Sequence, residues 1–253
     1  MTRLVVTGAS GRMGQTVIET AGDRSDCQVT VGVSRTPDAV AVDVPVEPAA
    51  DLPAVLERHA PDAVVDFTAP EATVECAEAC VETGVALVTG TTGLDADQTG
   101  RLEAAAAHVP LLWAPNFSRG VQALLQAIEA AVPATADYDA EVLETHHSGK
   151  RDAPSGTAGR ILEVLEGAGE YGERVHGRVG EAPRTTDEIG VHAVRAGTVT
   201  GEHTVLLAGN HEELRLTHRA EDRRVFAAGA LDAATWIADR PAGQYGFEEV
   251  LAT

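Results

Sequence analysis

Lysine is almost absent from this sequence. Of its 19 basic residues all but Lys150 are arginine, and they face 39 Asp plus Glu, for a formal net charge of −20 at pH 7. That balance is the reverse of what a phosphate-backbone binder needs, so no nucleic-acid partner is expected. An acid-rich, lysine-poor surface suits high ionic strength, where hydrated carboxylates keep a chain soluble and salt screens their repulsion. A salt-loving source is therefore expected. Cysteine is scarce too. Cys27, Cys76 and Cys80 form an odd set that gives no disulfide framework. The last two lie one helical turn apart in an apolar stretch and read as buried thiols. Long apolar runs are also missing, as is a basic segment followed by an apolar one at the start of the chain. A soluble, cytoplasmic protein with no membrane partner is expected.

The 253 residues are 44% hydrophobic, enough core for one large or two modest domains. Leu4–Thr7 reads as a strand, GASGRMG as a glycine turn and Gln15–Ala21 as a helix. Strands are expected at 28–33 and 63–67, the latter after a helix over 52–59. A helix over 71–82 ends at Gly84 as its C-cap, and a strand follows at 86–89. A helix over 95–108 and a strand over 110–113 complete an alternation that implies parallel strands. Beyond APNFSRG the pattern turns mixed: helices over 121–131 and 157–166, with strands near 140–146, 191–195, 202–208 and 213–219. A last helix over 226–238 precedes a short tail.

Two constellations carry chemistry. GASGRMG sets Gly8, Gly11 and Gly14 at three-residue spacing after the first strand, where small residues let backbone N–H groups approach a pyrophosphate at a helix N-terminus. Ser10 stands at the middle glycine position of the common fingerprint, and a ligand-free tight turn is the plain alternative. The βαβ context favours a dinucleotide. At the end of the second strand, Ser34 and Arg35 replace the acidic residue that would accept from a ribose 2′-hydroxyl. Arg35 can pair with a 2′-phosphate, which favours NADPH over NADH, although Asp38 lies nearby.

The second constellation is ETHHSGKRDAPSGTA, residues 144–158. His146 or His147 can exchange a proton near neutral pH and so complete a hydride addition. Lys150 can pair with a carboxylate or donate a proton. PSGT reads as a helix start whose Gly156 and Thr157 amides and Ser155 hydroxyl suit a small dianion. HHSGK lacks the spacing of known metal sites, so no metal is expected.

With both constellations in view, the chain resembles the 4-hydroxy-tetrahydrodipicolinate (dihydrodipicolinate) reductase family over nearly its whole length. GASGRMG, DFTAPEAT, GTTG, APNFSRGV, ETHHSGKRDAPSGTA and VRAGTVTGEHTV fall in that family's order, and the block at 144–158 is the most specific. The resemblance implies an α/β fold in two parts. A Rossmann-type parallel-sheet, dinucleotide-binding domain takes residues 1–117 and 225–253. An α+β domain over 118–224 binds the substrate and assembles a homotetramer through an open mixed sheet. The implied reaction is NADPH- or NADH-dependent reduction of a small dicarboxylate, 4-hydroxy-tetrahydrodipicolinate, with loss of water, in lysine biosynthesis by the diaminopimelate route.

Residue by residue, His146 and Lys150 match the catalytic positions, and His147, Gly156 and Thr157 match substrate-binding ones. Gly8, Ala9, Ser10, Gly11, Arg12 and Met13 match the pyrophosphate turn, with Ser34 and Arg35 at the adenosine ribose. Phe67, Gly90, Thr91, Thr92, Ala114, Pro115, Asn116 and Phe117 match further cofactor contacts. Two residues depart from the pattern: Ser34, where an acidic residue is frequent, and Ala69, where many members carry arginine. A non-catalytic NADPH-sensing regulator and a reductase of another small dicarboxylate are the competing expectations.

Overall fold

The computed structural model describes residues 1–40 and 42–252, and Thr253, the expected end of the first domain, lies outside them. The chain divides into two compact units, Met1–Phe117 with Arg223–Thr253, and Ser118–Asp222.

The first unit opens with β1 (Thr2–Thr7), α1 (Arg12–Gly22), β2 (Cys27–Ser34), β3 (Val46–Pro48) and α2 (Leu52–His59). It continues with β4 (Ala63–Asp66), α3 (Pro70–Thr83), β5 (Ala86–Thr89), α4 (Ala96–Ala106) and β6 (Pro110–Trp113). The second unit holds α5 (Arg119–Ala131), β7 (Asp139–His146), α6 (Gly156–Ala168), β8 (Glu173–His176), β9 (Glu188–Arg195), β10 (Gly201–Gly209) and β11 (Glu212–Ala220). The chain then returns to the first unit as α7 (Arg224–Ile237), β12 (Gly243–Tyr245) and α8 (Phe247–Leu251).

In the first unit seven parallel strands lie in the order β12-β6-β5-β4-β1-β2-β3. The period-two alternation of buried strands assigns each side chain to a face. Leu4, Val6, Val65 and Val88 pack with Val17 and Ile18 of α1 and Leu231 of α7. Val5, Val64 and Leu87 pack on the other face with Leu56, Cys80 and Leu102 of α2, α3 and α4. Local chemistry sets the helix ends. Pro70 opens α3, where its missing N–H costs nothing, and Gly84 closes it at φ +70°. Asp95 caps α4 reciprocally with Gln98, starting that helix one residue after the expected position. The tail supplies more than expected, since β12 pairs with β6 at the sheet edge.

In the second unit the five strands run β11-β10-β7-β9-β8, antiparallel through β11, β10 and β7, then parallel through β9 and β8. Ile128 of α5 and Ile161, Leu162 and Leu165 of α6 cover one face, against Val142, Val191, Val205 and Leu207. Leu143 and Val194 point the other way and are exposed.

Candidate active site

In the first unit the turn between β1 and α1 is built so that only glycine fits at two of its positions. Gly8 has φ +71°, and a Cβ on Gly14 would sit 2.2 Å from the Gly8 carbonyl oxygen. The Gly11 amide donates to that same oxygen at 2.8 Å. Gly11 then caps α1 without a side-chain bond, and the first turn carries no acid. The Arg12 and Met13 amides therefore have no acceptor within the helix, and the dipole adds to their pull on an anion. These residues fit a dinucleotide pyrophosphate. Ser34 is buried; it donates to Ser10 Oγ at 3.0 Å and accepts from the Thr36 amide at 3.1 Å, tying the end of β2 to the turn. Arg35 beside it is exposed.

The expected cofactor residues all lie at or just beyond the C-terminal ends of the parallel strands, around the switch point where β1 has β2 on one side and β4 on the other. Ser34 is the last residue of β2, Arg12 and Met13 are in the first turn of α1, and the others are in the connecting loops. Ser10, Gly11, Arg12, Arg35, Thr92 and Pro115 are exposed, and Gly8, Met13, Phe67, Gly90 and Asn116 half-buried. Ala9, Ser34, Thr91, Ala114 and Phe117 are buried. Phe117 meets Phe67 edge-on at 5.9 Å and Phe247 at 5.3 Å, so its ring belongs to the core.

Asp66, which the sequence did not single out, lies at the centre of these loops. Its carboxylate is fully buried and receives five threonine hydroxyls: Thr7 and Thr68 on Oδ1 at 2.7 Å, and Thr73, Thr89 and Thr91 on Oδ2 at 2.7, 2.8 and 3.1 Å. The Gly90 amide donates to its backbone carbonyl at 3.0 Å. Thr7, Asp66 and Thr89 are neighbours in the sheet register, a signal hidden in three separate strand ends.

In the second unit, β7 ends at His146 and leads into the loop that carries Lys150. His146 is buried; its Nδ1 lies 2.6 Å from Oε2 of Glu144, and Arg195 donates to both oxygens of that carboxylate at 2.7 Å. Burial pushes the His146 imidazole down and Glu144 pulls it up; burial wins, leaving it below the ordinary histidine range. Lys150 and His147 are half-buried, and Lys150 Nζ is 2.8 Å from Asp152 Oδ1. Burial works to raise the Asp152 carboxyl, but the Lys150 ammonium outweighs it and holds the group below its usual value.

Helix α6 starts at Gly156, which is exposed, and a Cβ there would meet no atom within 4 Å. Ser155 uses its hydroxyl inside the protein, accepting from the Ala158 amide at 3.2 Å as the helix cap. The same oxygen is 3.0 Å from His203 Nε2. Ser118, the cap of α5, stands 3.1 Å from His218 Nε2 in the same way, and His203 and His218 face each other across β10 and β11. Among the described residues no cluster has the composition of a metal site.

His203 is 4% exposed, and burial, reinforced by His146, pushes its pKa down to about 4. An unfolded histidine takes a proton near about 6.5, so between that pH and about 4 only the unfolded chain is protonated at this site. Stability is therefore full above about 6.5 and falls as the pH drops, by about 3 kcal/mol at most. Glu144, held below its ordinary range by Arg195 and His146 against burial, adds to the loss only at still lower pH. Urea unfolding at pH 7 and pH 4.5 should show this drop, and His203→Gln should remove most of it. An equal drop in both proteins would place the effect elsewhere.

Comparison with known proteins fits both halves. The family models "Dihydrodipicolinate reductase, N-terminus" and "Dihydrodipicolinate reductase, C-terminus" match residues 2–117 and 120–251. The 4-hydroxy-tetrahydrodipicolinate reductase of Haloarcula marismortui is 52% identical over 251 residues, covering 99% of each chain. That of Natronomonas pharaonis is 53% identical over 249 residues, 98% of this chain and 99% of that one. Among solved structures, the dipicolinate-bound dihydrodipicolinate reductase of Paenisporosarcina sp. TG-14 superposes with a TM-score of 0.79 over 97% of both chains at 23% identity, a likeness of fold. No helix among the described residues is long and apolar enough to cross a membrane. With family models spanning both units and relatives above 50% identity along almost the whole chain, this protein belongs to the dihydrodipicolinate reductase family.

Proposed function

We propose that this protein reduces 4-hydroxy-tetrahydrodipicolinate to tetrahydrodipicolinate with NAD(P)H, releasing water, in the cytoplasmic synthesis of diaminopimelate and lysine. The observation that carries the reading is the pairing of a carboxylate-held imidazole, His146, with the chain's only lysine on the loop just before the start of α6. Hydride and one proton enter the substrate and water leaves. When bound, the reduced nicotinamide supplies the hydride, so the protein must place a dianion and manage the proton.

Residues Gly8–Met13 hold the pyrophosphate at the bare start of α1, and the loops 90–92 and 114–117 frame the nicotinamide. The Gly156 and Thr157 amides and His147 take one substrate carboxylate. Lys150 offers an ammonium to the other carboxylate or to developing charge, and His146 exchanges the proton. The second unit thereby acts as the substrate domain. Its open sheet face, with Leu143 and Val194 exposed, is the surface through which four copies assemble.

The test is oxidation of NADPH, then NADH, by the purified protein in molar salt with enzymatically generated 4-hydroxy-tetrahydrodipicolinate. Substrate-dependent oxidation is expected. No turnover by folded, cofactor-binding protein, or turnover only with another dicarboxylate, would overturn the reading.

NADPH is the preferred donor. With Ser34 buried and engaged, no carboxylate ends β2 to accept from a ribose 2′-hydroxyl, whereas Arg35 is exposed and available to a 2′-phosphate. A charge-assisted contact of about 1.5–3 kcal/mol predicts that Arg35→Ala raises the KM for NADPH by roughly 10-fold or more and leaves that for NADH nearly unchanged. Equal effects on both cofactors would remove Arg35 from the 2′-phosphate.

A further inference from the structure

Glu144 has no exposed surface, yet none of its charge is left unanswered. Oε2 lies 2.6 Å from His146 Nδ1 and accepts from Arg195 Nη1 at 2.7 Å; Oε1 accepts from Arg195 Nη2 at 2.7 Å and from the Ser155 amide at 3.0 Å. The fold dictates this convergence. Glu144 and His146 sit two apart on β7 and share a face. Parallel pairing with β9 sets Arg195 directly beside His146. The remaining Arg195 bonds, to the carbonyls of Val194 and Asp152 at 2.7 and 2.6 Å, fix the fork and tie down the loop that carries Lys150.

A carboxylate in this clamp accepts hydrogen bonds and donates none, so the Nδ1 of His146 must carry the hydrogen. Burial alone would raise Glu144; Arg195, His146 and the Ser155 amide together hold it below its ordinary value and keep it an anion. A neutral ring has a single N–H, which leaves the lone pair on Nε2. Among the described residues Nε2 has no hydrogen-bond partner. A Cβ on Gly201 would come within 3.1 Å of it, so glycine keeps that side of the ring open. His203 meets the ring edge-on at 5.1 Å and 73°, holding its plane.

Resting on the reductase reading above, the geometry points to Glu144, clamped by Arg195, as the positioning residue that fixes His146 in the Nδ1–H tautomer and makes Nε2 the atom that exchanges a proton with the substrate. The charged and titratable groups around that imidazole are Glu144 on its own strand, Lys150 on the following loop, Arg195 on β9 and His203 on β10. Only Glu144 favours the protonated ring, so its removal lowers the pH at which His146 takes up a proton.

The experiment has two parts. Nitrogen-15 NMR of histidine-labelled wild-type protein, with the His146 signals assigned by their loss in His146→Gln, reads which ring nitrogen bears hydrogen. Nδ1–H is expected, and an Nε2–H ring overturns the inference whether or not Glu144→Gln folds. Glu144→Gln is then compared with wild type. The expected result is a kcat lower by on the order of 10²-fold, a KM for NADPH changed by less than about threefold, and the limb of the kcat profile that His146 sets moved to lower pH. A merely structural role moves neither the tautomer nor the limb that His146 sets, so wild-type values for both overturn the inference. Absence of turnover in the wild type would sink the reductase reading instead, while the tautomer measurement still decides the role of Glu144.

Discussion

Lys150→Arg is expected to fold and bind NADPH like the wild type, yet to turn over slower by at least about 10²-fold. The chain places arginine at every other basic position, so a substitution to arginine agrees with everything else in its composition. What arginine cannot do is the chemistry. An ammonium is a compact charge with three rotatable donors and a proton it can release, whereas a guanidinium is planar, wider and permanently protonated. The Lys150 backbone amide donates to the His147 carbonyl at 3.1 Å, and its Nζ reaches Asp152 at 2.8 Å, so the loop sets the ammonium in one place. A guanidinium can keep the contact with Asp152 but carries its charge farther along the chain. The loop is partly exposed and α6 is capped independently by Ser155, which is why stability should hold. Steady-state kinetics and a thermal melt on the same preparation check both halves. A kcat within about threefold of wild type would mean that any cation serves at this position.

What the sequence revealed about the fold depended on where the breakers stand. Strands β5 and β6 were legible to the residue because each is a short apolar run bounded by glycine, proline or a polar turn. Strands β3, β8 and β12 were not, being three or four residues long with no apolar run to mark them; pairing with a neighbour makes them strands, and local pattern does not.

The site divides in the same way. Paired histidines and a lone lysine stand out in any sequence. Glu144, Asp66 and Arg195 do not, because in a chain so rich in acids and arginine a buried carboxylate or its partner looks like one more solvated charge. Register alone reveals them: Glu144 two residues before His146 on one strand, Arg195 opposite His146 on the next, and Thr7, Asp66 and Thr89 abreast in the parallel sheet.

That row of three underlies the second large effect, on stability and cofactor binding together. Asp66→Ala should lower the unfolding free energy by about 3–5 kcal/mol, since it strips the acceptor from several buried hydroxyls at once and leaves a void among them. Asp66→Asn should cost less, about 1–2 kcal/mol, because the amide keeps the volume, its oxygen still accepts, and the two hydroxyls on the other side can turn to accept from its two N–H groups. The five threonines come from β1, β5, α3 and the segments after β4 and β5, so the carboxylate holds the strand ends and the Gly90–Thr92 loop in one arrangement. The Trp113 indole fixes the same loop from β6, donating to the Thr91 carbonyl at 2.9 Å. Even Asp66→Asn should therefore weaken NADPH binding, measured by fluorescence titration, at a temperature where the variant remains folded. Denaturant unfolding gives the first quantity directly. If Asp66→Ala lost less than about 1 kcal/mol, the hydroxyls would be finding other partners and Asp66 would not be what holds the loops. If stability fell as expected with NADPH affinity unchanged, the carboxylate would hold the sheet but not the cofactor loop, and Trp113 would be left to position it.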